Sequence, residues 1–143
     1  MKFTFISDVV AEDEVIVYAR EENETVKAIR ELCERENFHI VGHDENGIYK
    51  MSPFDVFCFV SDGDRLYAYT EHGRLRIKNR LSRIETGLPS CFIRINQSCI
   101  ANINAVERFD ASFAGTLGVV FKNGYRDYVS RRNLKKVKER IGL

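Results

Sequence analysis

The sequence predicts an α+β fold. A small ββαββ unit over residues 1–52 precedes a mainly β domain over residues 53–143, with one short internal helix and one C-terminal helix. Three observations predict it. Short apolar-polar alternations, the period of strands, recur along most of the chain between turn signals such as Asn46-Gly47, Asp62-Gly63 and Asn123-Gly124. Helical spacing of apolar residues is confined to three stretches: Asn23 to Asn37, Asn79 to Thr86, and the residues after Ser130. Ser52-Pro53 marks a seam, because proline interrupts a continuing strand or helix.

In the first unit, Lys2-Phe3-Thr4-Phe5-Ile6 alternates and Glu14-Val15-Ile16-Val17-Tyr18 is β-branched and aromatic, so both read as strands. The period then lengthens. Val26, Ile29 and Cys33, with Leu32 beside them, form one apolar stripe on a charged helix. Asn23 supplies the N-cap, and Glu24 complements the positive end of the helix dipole. Phe38–Gly42 and Ile48–Met51 flank Asp44-Glu45-Asn46-Gly47, a hairpin signal.

In the second part, Val56–Val60 and Arg65–Thr70 flank the turn Ser61–Asp64, and Leu75-Arg76-Ile77 follows the turn His72-Gly73. Leu81 and Ile84 give the short helix its inner side, with Gly87 and Pro89 as stop signals. Phe92–Ile95 and Asn104–Phe109 return to strand. Thr116–Phe121 and Tyr125–Val129 pair across Lys122-Asn123-Gly124. Leu134, Val137 and Ile141 make the stripe of a closing helix that Ser130 caps.

Charge separates the two parts. The whole chain carries +1, but residues 1–60 hold 6 Lys+Arg against 13 Asp+Glu, and residues 61–143 hold 16 against 8. The balances, −7 and +8, point to a polyanionic partner for the basic part. From Lys122 onward eight basic residues face only Asp127 and Glu139. Arg65, Arg74, Arg76, Lys78, Arg80, Arg83 and Arg94 extend the positive charge backward, a spread suited to neutralising phosphates.

Other chemistries find little support. No apolar run approaches the ~20 residues of a membrane span, and the N-terminal apolar stretch is too short for a secretion signal, so a cytoplasmic protein is expected. Cys33, Cys58, Cys91 and Cys99 lack metal-site spacing and read as buried thiols, without a metal or disulfide framework. His39 and His43 stand four apart on a strand-and-turn pattern, where they cannot share a helix face as metal ligands. No nucleophile elbow or phosphate-binding glycine loop occurs, so neither an enzyme nor a cofactor is expected. A helix-turn-helix pair, zinc-finger spacing, basic zipper and aromatic RNA-binding strand motif are also missing. What remains is a β-scaffold presenting loops to nucleic acid.

Three separated blocks carry a family likeness. Phe92, Arg94, Ser98 and Asn102 fit F-x-R-x-x-x-S-x-x-x-N; Lys122-Asn123-Gly124 closes a short hairpin; and Ser130-Arg131-Arg132-Asn133-Leu134-Lys135 fits S-R-x-x-L-K. In order, spacing and residue type this resembles the LytTR DNA-binding domain of bacterial response regulators, over roughly residues 53 to 141. The resemblance implies an elongated β domain whose loops, with the start of the last helix, enter successive major grooves of double-stranded DNA.

It also implies three contact segments. The turn Asp62–Arg65 is the first; its aspartates would repel phosphate, leaving Arg65 as the contact. Asn96-Gln97 is the second, where an amide can pair bidentately with adenine. Arg131-Arg132 is the third, with Arg132 suited to guanine, while Lys135 and Lys136 follow on the helix. Ser98, Asn102 and Ser130 are expected to support these segments, Asn102 through backbone hydrogen bonds. The expected function is a stand-alone transcriptional regulator; the alternative is a protein-interaction module whose basic half binds DNA only non-specifically or not at all. About fifty residues before the domain are too few for a phosphoacceptor receiver domain. The layout resembles regulators held in check by a membrane-embedded partner protein, and residues 1–50 are expected to hold a homodimer, because so small a unit gains stability by packing on a neighbour.

Overall fold

The computed structural model describes Thr4 and residues 15–34, 39–111 and 116–143. The chain divides into two compact units, residues 1–35 and 36–143.

The first unit holds helix α1 (Glu24–Glu34). Asn23 starts it: its side-chain oxygen accepts from the backbone N–H groups of Thr25 and Val26, both at 3.1 Å. Lys27 pairs with Glu24 one turn away, and Arg30 pairs with Glu22. The expected stripe is only partly sheltered. Val26 and Ile29 are half-buried, while Leu32 is 53% exposed and Cys33 is exposed rather than buried. The expected strand at 2–6 lies outside the described residues except for Thr4. The strand expected over 14–18 is not formed in its described part: Val15–Tyr18 joins no ladder, and Tyr18 is 94% exposed. β-Branched and aromatic residues favour a strand only where a pleated, half-buried surface receives them. A ββαββ unit is therefore not formed among the described residues.

The second unit contains two antiparallel sheets. Strands β1 (Ile40–His43), β2 (Ile48–Met51), β3 (Val56–Asp62), β4 (Arg65–Thr70), β5 (Gly73–Ile77), β6 (Phe92–Asn96) and β7 (Cys99–Asn102) form one sheet in the order β2-β1-β5-β4-β3-β7-β6. Strands β8 (Val106–Ala111), β9 (Leu117–Phe121) and β10 (Arg126–Val129) form the other, in the order β10-β9-β8. Helix α2 (Leu81–Glu85) lies between β5 and β6, and α3 (Arg131–Arg140) follows β10. The β1–β2 hairpin joins the larger sheet where His43 stands opposite Arg76, so the seam expected at Ser52–Pro53 falls inside this unit. Gly42 permits that union, since a Cβ there would come within 2.6 Å of Met51 Cε and 2.8 Å of Leu75 Cβ.

Each face of the large sheet has its own core. On one, Val56, Phe59, Leu66, Ala68, Ile77 and Ile100 pack with Leu81 of α2. On the other, Cys58, Ile93, Ile95 and Cys99 pack with Val119, Phe121 and Val129 of the small sheet and Val137 of α3. Strand alternation produces both at once, because successive residues of β3 point to opposite faces. Burying Val137 against β6 and β10 fixes where α3 begins, beside the end of β6.

Candidate nucleic-acid interface

Three exposed segments meet at one end of the second unit: the β3–β4 turn, the β6–β7 turn and the β10–α3 junction. Backbone hydrogen bonds set their relative positions. β3 and β7 pair with Val60 opposite Cys99, and beyond the last pair Ser61 N–H donates to Ser98 C=O at 2.8 Å. This places the first two turns side by side. At the third segment Ser130 N–H donates to Ile95 C=O at 2.9 Å, tying the start of α3 to β6. Gly63 enables the first turn with a left-handed φ of 63°.

The β6–β7 turn is the most heavily braced. A bulge between Arg94 and Asn96 places an additional residue on β6, which turns the Asn96 side chain inward. Asn96 is 3% exposed. Its amide nitrogen donates to Asp127 Oδ1 and Tyr128 C=O, both at 2.8 Å, and its oxygen accepts from Ser98 N–H at 2.8 Å. Both amide hydrogens are engaged, so Asn96, expected as a base contact, serves the scaffold instead. Gln97, next to it, is exposed at the tip.

Arg94 braces the same turn from the other side. Its guanidinium grips the Glu85 carboxylate, with Nη2 to Oε2 at 2.9 Å and Nε to Oε2 at 3.1 Å, and Nη1 donates to Gln97 C=O at 2.8 Å. This bonding holds the Glu85 carboxyl below its usual range against the opposing effect of burial, with Lys136 adding a smaller pull. Arg94 is thus not among the residues left to neutralise phosphates, as its place in the basic spread had suggested. Asp127 organises the underside: besides Asn96 it accepts from the Tyr125 hydroxyl at 2.9 Å. Burial first, and then the Asp127 charge, push the Tyr125 phenol well above its ordinary value. Beneath lie the buried thiols of Cys58 and Cys99; their mutual contact and burial raise Cys99, which keeps it a neutral packing group. Cys91 is half-buried.

The remaining expected residues divide cleanly. Arg65, Arg131, Arg132, Lys135 and Lys136 are exposed, on the first turn or along the outer side of α3. Asn102 is buried; it donates to Val56 C=O at 3.1 Å and accepts from Asn104 N–H at 3.1 Å. Ser130 occupies the N-cap position of α3, but its hydroxyl makes no bond to the helix backbone; it accepts from the Asn133 side chain at 2.8 Å. Ser98 is exposed and acts through its backbone. Sequence reasoning missed Glu85, Tyr125 and Asp127. Only Arg94 carried a usable signal, as the arginine of the F-x-R block. Among the described residues no group of His, Cys, Asp and Glu could hold a metal ion, and no helix is long and apolar enough to cross a membrane.

Comparison with known proteins fits this geometry. Uncharacterized HTH-type transcriptional regulators from Staphylococcus aureus strains NCTC 8325 / PS 47 and COL are 29% identical over 141 residues, covering 97% of this chain and 96% of theirs. No helix-turn-helix pair stands among the described residues here, since α2 and α3 are separated by five strands. A solved LytTr DNA-binding domain from a Bacillus cereus response regulator has a TM-score of 0.69 at 22% identity, covering 73% of this chain and 97% of that one, which establishes the shared fold. The LytTr DNA-binding domain family matches residues 46–142, and with most of its length inside that match the chain belongs to this family.

Proposed function

We propose that the protein is a transcriptional regulator that binds double-stranded DNA sequence-specifically, reading the major groove with the β6–β7 turn and the start of α3. The carrying observation is the pair of exposed polar residues, Gln97 and Arg132, on segments locked together by the Ser61–Ser98 and Ser130–Ile95 hydrogen bonds. Pre-positioned side chains lose little freedom on binding, which favours discrimination between bases. In this reading Gln97 pairs with an adenine edge and Arg132 with guanine O6 and N7. Arg65, Arg131, Lys135 and Lys136 meet phosphates, which orient the protein but carry no sequence information. Family membership and the names of the staphylococcal relatives support the regulator role. The exposed Leu32 on α1 supports a homodimer formed through the N-terminal unit, which would present two DNA-binding surfaces at fixed spacing. A membrane-embedded inhibitory partner belongs to this reading only through the likeness of the chain's layout to regulators controlled in that way.

Selection from a random duplex pool followed by titration tests the proposal. An enriched site should emerge, and log K on it should fall linearly against log salt. Gln97→Ala and Arg132→Ala should each cost about 1–3 kcal/mol on that site and far less on random DNA, whereas Lys136→Ala should weaken both alike. Failure to enrich any site, or equal losses for all three variants on both duplexes, would overturn it.

A further inference from the structure

The small sheet and α3 cover one face of the large sheet over β3, β7 and β6 and reach β4 at Tyr69, whose ring stacks 4.3 Å from that of Tyr125. Over β4, β5 and β1 the same face carries a cluster the motifs do not describe. Along β5, Arg74 and Arg76 are exposed while Leu75 and Ile77 are buried, so both arginines point away from the core beneath them. Across the ladder Arg76 stands opposite Tyr67, and the Arg74 guanidinium lies 4.1 Å from the centroid of the Tyr67 ring. The Tyr67 phenol first, and then the carboxylates of Asp64 and Asp62, strengthen the hold of Arg65 on its proton. The Arg74 guanidinium therefore lies on the Tyr67 ring, with Arg76 opposite that tyrosine in the ladder and Arg65 two residues before it on β4. Asp62 and Asp64 sit beside Arg65, but no ion pair among the described residues involves Arg74 or Arg76. Like charges gathered without carboxylate partners repel one another, and a polyanion relieves that repulsion.

We infer that Arg74 and Arg76, presented on Tyr67, form a second phosphate-binding surface that takes the DNA backbone flanking the recognised site. Strand order determines which flank: β5 lies on the side of β4 away from β3 and β7, so the surface extends beyond the Arg65 turn, opposite to Gln97. Planar guanidinium groups suit bidentate phosphate contact, and the Tyr67 face orients Arg74. This surface rests on the DNA-binding reading above, and it adds affinity without base preference.

The test uses the full chain, the selected site, and two duplexes. One ends at the site; the other continues by about one helical turn, ~10 bp, on each side. The unaltered chain should bind the longer duplex more tightly, with a steeper salt dependence. Arg74→Gln/Arg76→Gln should bind the short duplex as the unaltered chain does and gain nothing from lengthening. Its log K against log salt slope on the long duplex should be shallower by about 1.8, two contacts at ~0.9 each. Arg74→Lys/Arg76→Lys, which keeps both charges, should restore most of the gain. If the glutamine variant gains from lengthening as the unaltered chain does, or if the lysine variant loses as much as the glutamine variant, the second surface is overturned while the proposed function stands. If the unaltered chain selects no site, both fall together.

Discussion

Replacing Asn96 by alanine separates the frame of the site from its reading surface. The side chain is 3% exposed and makes three hydrogen bonds at 2.8 Å, to Asp127, Tyr128 and Ser98. A neutral bond contributes about 1 kcal/mol net and one to a carboxylate about 1.5–3, so removing all three should cost roughly 3–5 kcal/mol. With a urea m-value of about 1–3 kcal/mol/M for a domain of this size, the midpoint should fall by ~2 M. Asn96→Asp, nearly isosteric, tests whether the bonds or the packing matter. It sets a second carboxylate against Asp127, which raises the folded-state pKa of the pair. Its stability should then be retained at low pH and lost as pH rises through that raised value. Gln97→Ala, one residue away, should leave the midpoint unchanged. The assay is equilibrium urea unfolding followed by circular dichroism at several pH values. An Asn96→Ala midpoint within ~0.3 M of the unaltered chain would refute the argument, as would an Asn96→Asp curve without the extra pH dependence.

The Glu85–Arg94 brace predicts a complementary pH effect. Because the Glu85 carboxyl is held below its usual range, its contribution is present above the ordinary value of ~4.3 and disappears as pH falls through the lower folded-state value. Glu85→Gln should therefore flatten the acid limb of a stability–pH profile by a small amount, since both side chains are partly exposed; an unchanged limb would show that the pair contributes nothing. For assembly, the full chain should sediment as a dimer and residues 36–143 as a monomer. A monomeric full chain, or a shorter one that dimerises equally well, would remove the N-terminal unit from that role.

Much of the second unit was legible because strand period and turn chemistry agree there. Asn46-Gly47, Asp62-Gly63 and Asn123-Gly124 each lie at a chain reversal, and the apolar positions between them fill two cores. The seam at Ser52–Pro53 was misleading for a physical reason. Proline interrupts hydrogen bonding locally, and here Pro53 begins a single 3-10 turn between β2 and β3. Whether a hairpin belongs to the sheet beyond depends on long-range pairing, in this case His43 with Arg76 and the space at Gly42, and no local pattern encodes that. The same holds for Val15–Tyr18, whose composition suits a strand although its described residues lie exposed and unpaired in a ladder.

The site shows a sharper division between what a motif reveals and what it hides. Of the four residues in the F-x-R-x-x-x-S-x-x-x-N block, Arg94 grips Glu85 and the Gln97 carbonyl, Ser98 receives a backbone bond from Ser61, and Asn102 anchors β3 at Val56. Phe92 packs 5.6 Å from the Phe59 ring. All four act on the frame, Ser98 through its backbone, and the exposed Gln97 stands at a position the pattern leaves open. The closing block is mixed: Leu134 packs on the core, while Arg131 and Lys135, which the pattern specifies, and Arg132, which it leaves open, are all exposed. The first block is thus made of residues that build the frame, and it brackets the outward position Gln97. In the proposed reading, affinity for DNA in general rests on the arginine and lysine distribution, whereas the choice of site rests on very few side chains held at fixed spacing by buried groups. Exchanging Gln97 or Arg132 should alter preference at one base pair and leave the fold intact, while exchanging Arg94 or Asn96 should blur every position the turn reads.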